Sequence, residues 1–377
     1  MAVPFSVMIV EAYYRLFLDD AYEWRPGLRD LDYEASLRAL LDEGMGTAGS
    51  YALNLRKLGH RASVVVVNDV GLQAKWAREN GLRLGLPSLF DASIAQNRYC
   101  RRVLRPQKWL MRILRAQIEA EHPDVLLFTN PSWCEPSFMR GIRPHVGMVV
   151  GQIASTIPQK EYIRSCDLMV SSFQHFVDRF RAMGMPAEYL QLGFEASSVD
   201  VLRTRPETFE TAFVGGLSGP EWVGGTAVLE GLAEASRLDV WGYGQETLRP
   251  DSPLRRRYHG HAWGHGVLNV FHNSKIVVNR HGEIAEDCAN NVRLYEATGS
   301  GSLLVTDVKS NLADLFRIDE EIVAYRDGSD LISKVEYYLA HEDERSSIAS
   351  AGHQRTLRDH STLQRMHVLE QIIEAHS

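Results

Sequence analysis

The sequence predicts an α/β protein built from two Rossmann-like domains facing each other across a cleft. Two observations carry this: short β-branched or apolar runs alternate with helical patterns along the whole chain, and a polar stretch interrupts the alternation near its middle. A third is length, since 377 residues exceed one ordinary core and suit two domains of common size.

In the first half the predicted strands are Ser6 to Val10, Ser63 to Asn68, Val125 to Thr129, Val146 to Val150 and Leu168 to Ser171. Helical windows lie at Ala35 to Leu41, Ser50 to Leu58, Lys108 to Ala120 and Phe173 to Met183. The break falls between Gly193 and Glu210, around Pro206. The second half repeats the logic with strands at Thr211 to Val214, Leu238 to Trp241, Lys275 to Asn279, Ser302 to Thr306 and Ile322 to Tyr325. The expected domains are therefore 1–195 and 205–355, with 356–377 a final helix that packs back on the first domain. Ligands of open α/β sheets bind beyond the carboxyl ends of the strands, so a cleft is the expected site.

Composition narrows the function. A hydrophobic share of 45% and a charged share of 24% are those of a globular chain, and a net charge of −7 argues against a dedicated nucleic-acid binder. No run approaches the ~20 apolar residues of a spanning helix, and the start lacks the features of a signal peptide, so a cytoplasmic location is expected. Cys100, Cys134, Cys166 and Cys288 are too widely spaced for a zinc knuckle and read as reduced thiols. The triplet Asp30-Leu31-Asp32 follows Pro26 and Gly27 rather than an apolar strand, so it reads as surface acids, and no catalytic metal is expected.

Three segments could carry chemistry. Phe213-Val214-Gly215-Gly216-Leu217-Ser218-Gly219 ends a strand in glycines ahead of a helical window from Gly225 to Ala235, which suits a close approach to phosphate at a helix N-terminus or a plain turn. Gly44-Met45-Gly46-Thr47-Ala48-Gly49 has Gly-x-Gly-x-x-Gly spacing but follows a helix; Gly46 either faces donor phosphates from the opposite wall or belongs to a flexible helix cap. Asn279-Arg280-His281-Gly282 leads to a helix expected to start near Asn290 as N-cap, with Arg293 and Glu296 on one face where both reach one ligand. Among strand-end residues of the first half, Glu11, Asn130 and Gln152, only Glu11 is a natural base.

The run Asn291-x-Arg293-x-Tyr295-Glu296-Ala297-x-Gly299, followed by Leu303-Leu304-Val305-Thr306-Asp307, resembles the C-terminal domain of CgeB-type glycosyltransferases, which have the GT-B fold. The likeness continues through Leu315-Phe316, Val323-Ala324-Tyr325, Tyr337-Tyr338-Leu339 and Arg345 to Ile348-Ala349-x-Ala351-Gly352. Upstream, Trp241-Gly242-Tyr243-Gly244 and Tyr258-x-Gly260-x-Ala262-Trp263-Gly264 are also similar.

The resemblance implies transfer of a sugar from a nucleotide-sugar donor, as substrate rather than cofactor, to a glycan, lipid-linked or other small acceptor. It implies that Glu296 grips the donor ribose and that Arg293, Lys275 or Arg280 offsets the diphosphate, with Asn291, Gly215 and Gly216 beside it. Gly260, His261 and Trp263 would sit by the base, and His281 with the loop Gly282 to Ala289 by the sugar. In one respect the chain departs from related retaining enzymes: Cys288 stands where the first of two glutamates would be, so Glu283, Glu286, Asp287 or none supplies that carboxylate. The alternatives are a nucleotide-sugar epimerase and a non-catalytic sugar-nucleotide or glycan-binding scaffold. The basic segment 98–115 reads as a solvated helix face, with peripheral contact to an anionic membrane surface or a hold on an anionic acceptor such as a lipid diphosphate as the alternatives.

Overall fold

The computed structural model describes residues 3–83, 106–204, 209–217 and 223–377. The chain divides into two units: residues 1–171, 175–189 and 369–377 form unit 1, and residues 172–174 and 190–368 form unit 2.

Unit 1 holds a six-stranded sheet of β1 (Ser6–Glu11), β2 (Arg61–Val66), β3 (Val125–Phe128), β4 (Met148–Gln152), β5 (Leu168–Ser171) and β6 (Ala187–Tyr189). Their order is β2-β1-β3-β4-β5-β6, and every pairing is parallel. Strands buried on both faces become continuous apolar runs, which is why Val125–Phe128 and Leu168–Ser171 were legible as strands. The edge strand β6 was not expected, because its three residues lie in a mixed polar context.

The same unit includes residues 369–377, where Glu370 accepts a hydrogen bond from His60 at 3.0 Å. The Phe5 amide donates to Nδ1 of His60 at 3.3 Å, so Nε2 is the nitrogen that carries the proton toward Glu370. Both side chains are buried.

Unit 2 holds β7 (Phe209–Gly216), β8 (Leu238–Tyr243), β9 (Ser274–Val278), β10 (Leu303–Asp307) and β11 (Val323–Tyr325), all parallel, in the order β11-β10-β9-β7-β8. Side chains alternate along each strand, so the sheet feeds two cores. On one face Phe213, Val240, Ile276, Val278 and Val305 pack with Leu229 and Leu232 of the helix Val223–Ala235, Val335 of Gly328–Ala340 and Ile348 of Glu342–Asp359. On the other, Ala212, Val214, Trp241, Val277 and Leu304 pack with Phe271 of His265–His272 and Tyr295 of Val292–Gly299. Covering both faces with helices is the doubly wound Rossmann-like arrangement. Among the described residues no helix is long and apolar enough to cross a membrane.

Replacing His60 by alanine removes the hydrogen bond it gives the buried Glu370 carboxylate. The expected loss is about 2 kcal/mol of stability, the scale of a hydrogen bond to a charged group, measured by urea denaturation.

Candidate functional site

In an open parallel sheet the crevice forms where strand order reverses, because the loops leaving two adjacent strands run to opposite faces. In unit 2 that point lies between β7 and β9. β7 ends at Gly215-Gly216, and β9 runs on into Asn279-Arg280.

Arg280 bridges this point. Its Nη2 donates to the Gly216 carbonyl at 2.6 Å, its guanidinium carbon lies 5.4 Å from the Phe213 ring centroid, and only 5% of the residue is exposed. Burial pulls its pKa down to about 10, against the attraction of Tyr325, Asp307 and Tyr243. Asn279 and Asn291 clasp each other through two amide bonds of 3.3 and 2.9 Å, and Asn291 also donates to the Arg280 carbonyl at 3.3 Å.

Asn291, not Asn290, occupies the N-cap of the helix Val292–Gly299, and its side chain makes no capping bond. The amide of Asn291 is taken by Asn279 and Arg280, while Asn290 is buried, donating to the Ser172 carbonyl at 3.0 Å and accepting from Tyr295 at 2.7 Å. The expected cap is corrected for that reason: buried amides need partners more than this helix end needs a side chain.

Arg293 and Glu296 share a face as expected, and they bond to each other. Arg293 Nε donates to the Val214 carbonyl at 3.1 Å and its guanidinium lies 5.8 Å from the Phe271 ring centroid, so the arginine orients Glu296 from the sheet. Trp263 is buried, stacked within 10° of the Tyr243 ring plane at 6.4 Å, while the His261 ring lies 5.5 Å away and tilted by 51°. Tyr243 stands opposite Gly216 in the β7–β8 register, which puts this aromatic group at the same sheet edge as Arg280.

Lys275 is not brought to this group. It lies near the start of β9, at the opposite edge of the sheet, with its Nζ 3.7 Å from Glu342. Sequence distance from Arg280 was small, but in a strand five residues span about 16 Å.

His281 is pinned inside. Its ring is fully buried, Nδ1 lies 2.7 Å from Asp307, and its backbone N–H donates to the same carboxylate at 3.0 Å. Burial would raise the Asp307 pKa, but the bonds and charge of His281 and the charge of Lys309 outweigh it and hold the carboxyl below its ordinary value. Nε2 of His281 is buried with no hydrogen-bond partner among the described residues. The following loop is strapped down: Lys309 donates to the Glu286 carbonyl at 2.7 Å, and Asn311 bonds Ala289 at 2.6 and 2.9 Å. Glu286 sits at φ 50°, ψ −121°, a region that costs a non-glycine residue ~1–3 kcal/mol. Glu283 is exposed at the start of the short turn Glu283–Ala285. Sequence reading missed Asp307 as a partner of His281; its position as the first acid after an apolar strand was the available signal.

Unit 1 has its own reversal point between β1 and β3, and Glu11 ends β1 there. Its two oxygens accept from the amides of Thr47 at 3.1 Å and Ala48 at 2.9 Å, the first of the helix Ala48–Lys57. Gly46 makes this possible, with φ at +73° and a hypothetical Cβ only 2.5 Å from the carboxylate. Burial pushes the Glu11 pKa up to about 7 against the lowering effect of these amides. Burial raises the Tyr13 pKa, and the nearby Glu11 adds to the rise. Gln152 donates to Tyr51 at 3.0 Å, and Asn130 accepts from the Ser132 amide at 3.0 Å.

Asp32 caps the helix Tyr33–Leu41, accepting from the Ala35 amide at 2.8 Å. Of the basic segment, 98–105 lies outside the described residues, as does Cys100; further on, Trp109, Leu110 and Ile113 pack into the unit 1 core.

Residues 226–371, almost all of them in unit 2, match the family model described as glycosyl transferase-like. No curated protein matches the chain. Among solved structures, the chain is similar to a glycosyltransferase from Rickettsia africae (11% identity, 100% and 99% of the two chains covered, TM-score 0.58). It is also similar to HepE of Anabaena in complex with UDP-glucose (10%, 98% and 100%, TM-score 0.59). A third is the sucrose-phosphate synthase of Thermosynechococcus elongatus (10%, 99% and 100%, TM-score 0.59). The shared fold is GT-B, with two Rossmann-like domains.

A carboxyl whose pKa is raised on folding adds most stability when protonated, so the Glu11 contribution falls as pH rises through its folded value. Relative to Glu11→Gln, the wild type is expected to lose about 3 kcal/mol of stability between pH 4 and pH 8, read from denaturation curves at each pH.

Proposed function

We propose, for a chain whose second unit carries a glycosyl transferase-like enzyme domain in a GT-B fold, that it moves a sugar from a nucleotide-sugar donor to a glycan, lipid-linked or other small hydroxyl acceptor. We take it to be of the CgeB type, on the run Asn291-x-Arg293-x-Tyr295-Glu296-Ala297-x-Gly299. The observation that carries the reading is the desolvated Arg280 at the strand-order reversal, tied to Gly216, with the Arg293–Glu296 pair tied to Val214 of the same strand.

In this reading Glu296 accepts the two ribose hydroxyls, since a carboxylate offers acceptors on both oxygens. Arg280, Gly215 and Gly216 meet the diphosphate, whose negative charge grows as the glycosidic bond breaks. A cation already desolvated and fixed in place stabilises that charge without reorganising at the moment of reaction. The donor charge is then met by side chains, and no metal is required. Trp263 and Tyr243 offer aromatic surface for the base. A UDP-sugar is the first donor to test, because the similar Anabaena structure holds UDP-glucose.

His281 and Glu283 remain the candidates beside the transferred sugar. His281 reaches it only if the segment 282–289 shifts, and the strain at Glu286 gives that segment a reason to do so. Glu11, with both oxygens engaged by helix amides, serves as the anchor of the 44–47 loop rather than as a base in this conformation.

Incubation with UDP-glucose and an acceptor panel is expected to release UDP only when acceptor is present, and a donor converted to a sugar epimer instead would overturn the transfer reading. Glu296→Ala is expected to weaken UDP binding by about 1–3 kcal/mol in titration calorimetry, the loss of a charged hydrogen-bond partner. Unchanged affinity would remove the ribose role.

A further inference from the structure

The helix Val223–Ala235 carries Gly224 and Gly225 in its first turn. Glycine inside a helix costs about 1 kcal/mol relative to alanine, so each position invites a reason. Gly224 has none among the described residues, for an added Cβ there would meet none of their atoms within 4 Å. Gly225 differs. A Cβ on it would lie 2.2 Å from Nη1, 2.6 Å from Cδ and 3.0 Å from Cζ of Arg280.

The Arg280 guanidinium therefore occupies the volume that any side chain at 225 would take. Its other contacts hold it there: the Phe213 ring lies 5.4 Å away, Nη2 is committed to the Gly216 carbonyl, and the residue is buried. A methyl at 225 would drive the far end of the arginine off Gly216. The seat is also electrostatically unfavourable for a cation. It lies beside the first turn of a 13-residue helix, where the dipole is positive, and burial outweighs the attraction of Asp307. An anionic ligand relieves both penalties at once.

We infer that Gly225 is a positioning residue for the donor diphosphate: its missing side chain is what lets Arg280 take the buried seat at the carboxyl edge of β7 and β9. This rests on the donor-site reading given above for Arg280. Gly225 touches no substrate in it and acts only through the arginine.

The test is a double-mutant cycle read by titration calorimetry with two probes, UDP and uridine, on wild type, Gly225→Ala, Arg280→Ala and the double variant, with Gly224→Ala as control. Expected is about tenfold or greater weakening of UDP binding in Gly225→Ala, the scale of one charged hydrogen bond, with uridine binding within about twofold of wild type. Gly224→Ala should bind both probes as the wild type does. Because alanine at 225 has room once the guanidinium is gone, the double variant should bind UDP no more weakly than Arg280→Ala alone.

Wild-type UDP affinity in Gly225→Ala, or losses that multiply in the double variant, would overturn the inference and leave the donor site standing. A wild type that binds neither probe would remove the donor reading and this inference together. If Gly225→Ala alone does not fold, the double variant still should; its failure to fold would assign Gly225 to the helix and overturn the proposal.

Discussion

A guanidinium taken out of water is the constraint around which unit 2 is arranged. Desolvating an arginine is costly, and the cost is tolerated only where geometry fixes it and partners approach from several sides. Here the partners are the Gly216 carbonyl, the Phe213 ring and the field of Asp307. The Asn279–Asn291 clasp then follows as a requirement, because it holds the backbone that delivers the arginine. That clasp also sets where the helix Val292–Gly299 begins, and hence where Arg293 and Glu296 stand. One buried charge thus fixes the positions of three polar groups at one sheet edge.

The two units treat their strand-order reversals in opposite ways. In unit 1 the first strand ends in an acid, and Glu11 fills the N-terminus of the helix Ala48–Lys57 with the protein's own carboxylate. In unit 2 the first strand ends in Gly215-Gly216, and the arginine beside the next helix adds positive charge where the dipole is already positive. The first arrangement satisfies the helix end internally. The second sets positive charge beside positive charge, the arrangement that the proposed donor site would use for an anion.

Much of this was legible in the sequence, for reasons that differ by element. Doubly buried parallel strands are continuous apolar runs, so β3, β5, β9 and β10 could be read directly, whereas the three-residue edge strand β6 could not. Arg280, Arg293 and Glu296 were legible because they follow a strand or open a helix. Lys275 was misleading, since proximity in sequence says nothing about which end of a strand a side chain occupies. Asn290 misled for another reason: a residue suited to capping was recruited by buried partners, Ser172 and Tyr295, that are 118 and five positions distant. The pairing of Gly225 with Arg280 joins residues from different elements, and no local pattern records a volume left empty for a side chain elsewhere.

The segment after β9 carries a tension that bears on catalysis. Asp307 takes both the ring Nδ1 and the backbone amide of His281, leaving Nε2 buried and without a partner among the described residues, a state that costs about 1–3 kcal/mol. A few residues on, Glu286 adds backbone strain of similar size, held by the straps from Lys309 and Asn311. Two penalties in one short loop mean that the closed arrangement is disfavoured locally and kept by the tethers around it. A ligand able to offer Nε2 a hydroxyl would remove the first penalty, and a shift at Glu286 would release the second. Under the proposed function, these two penalties are what a polyhydroxylated ligand would relieve by drawing the loop into a new arrangement, and closing a site in that way keeps an activated donor away from water.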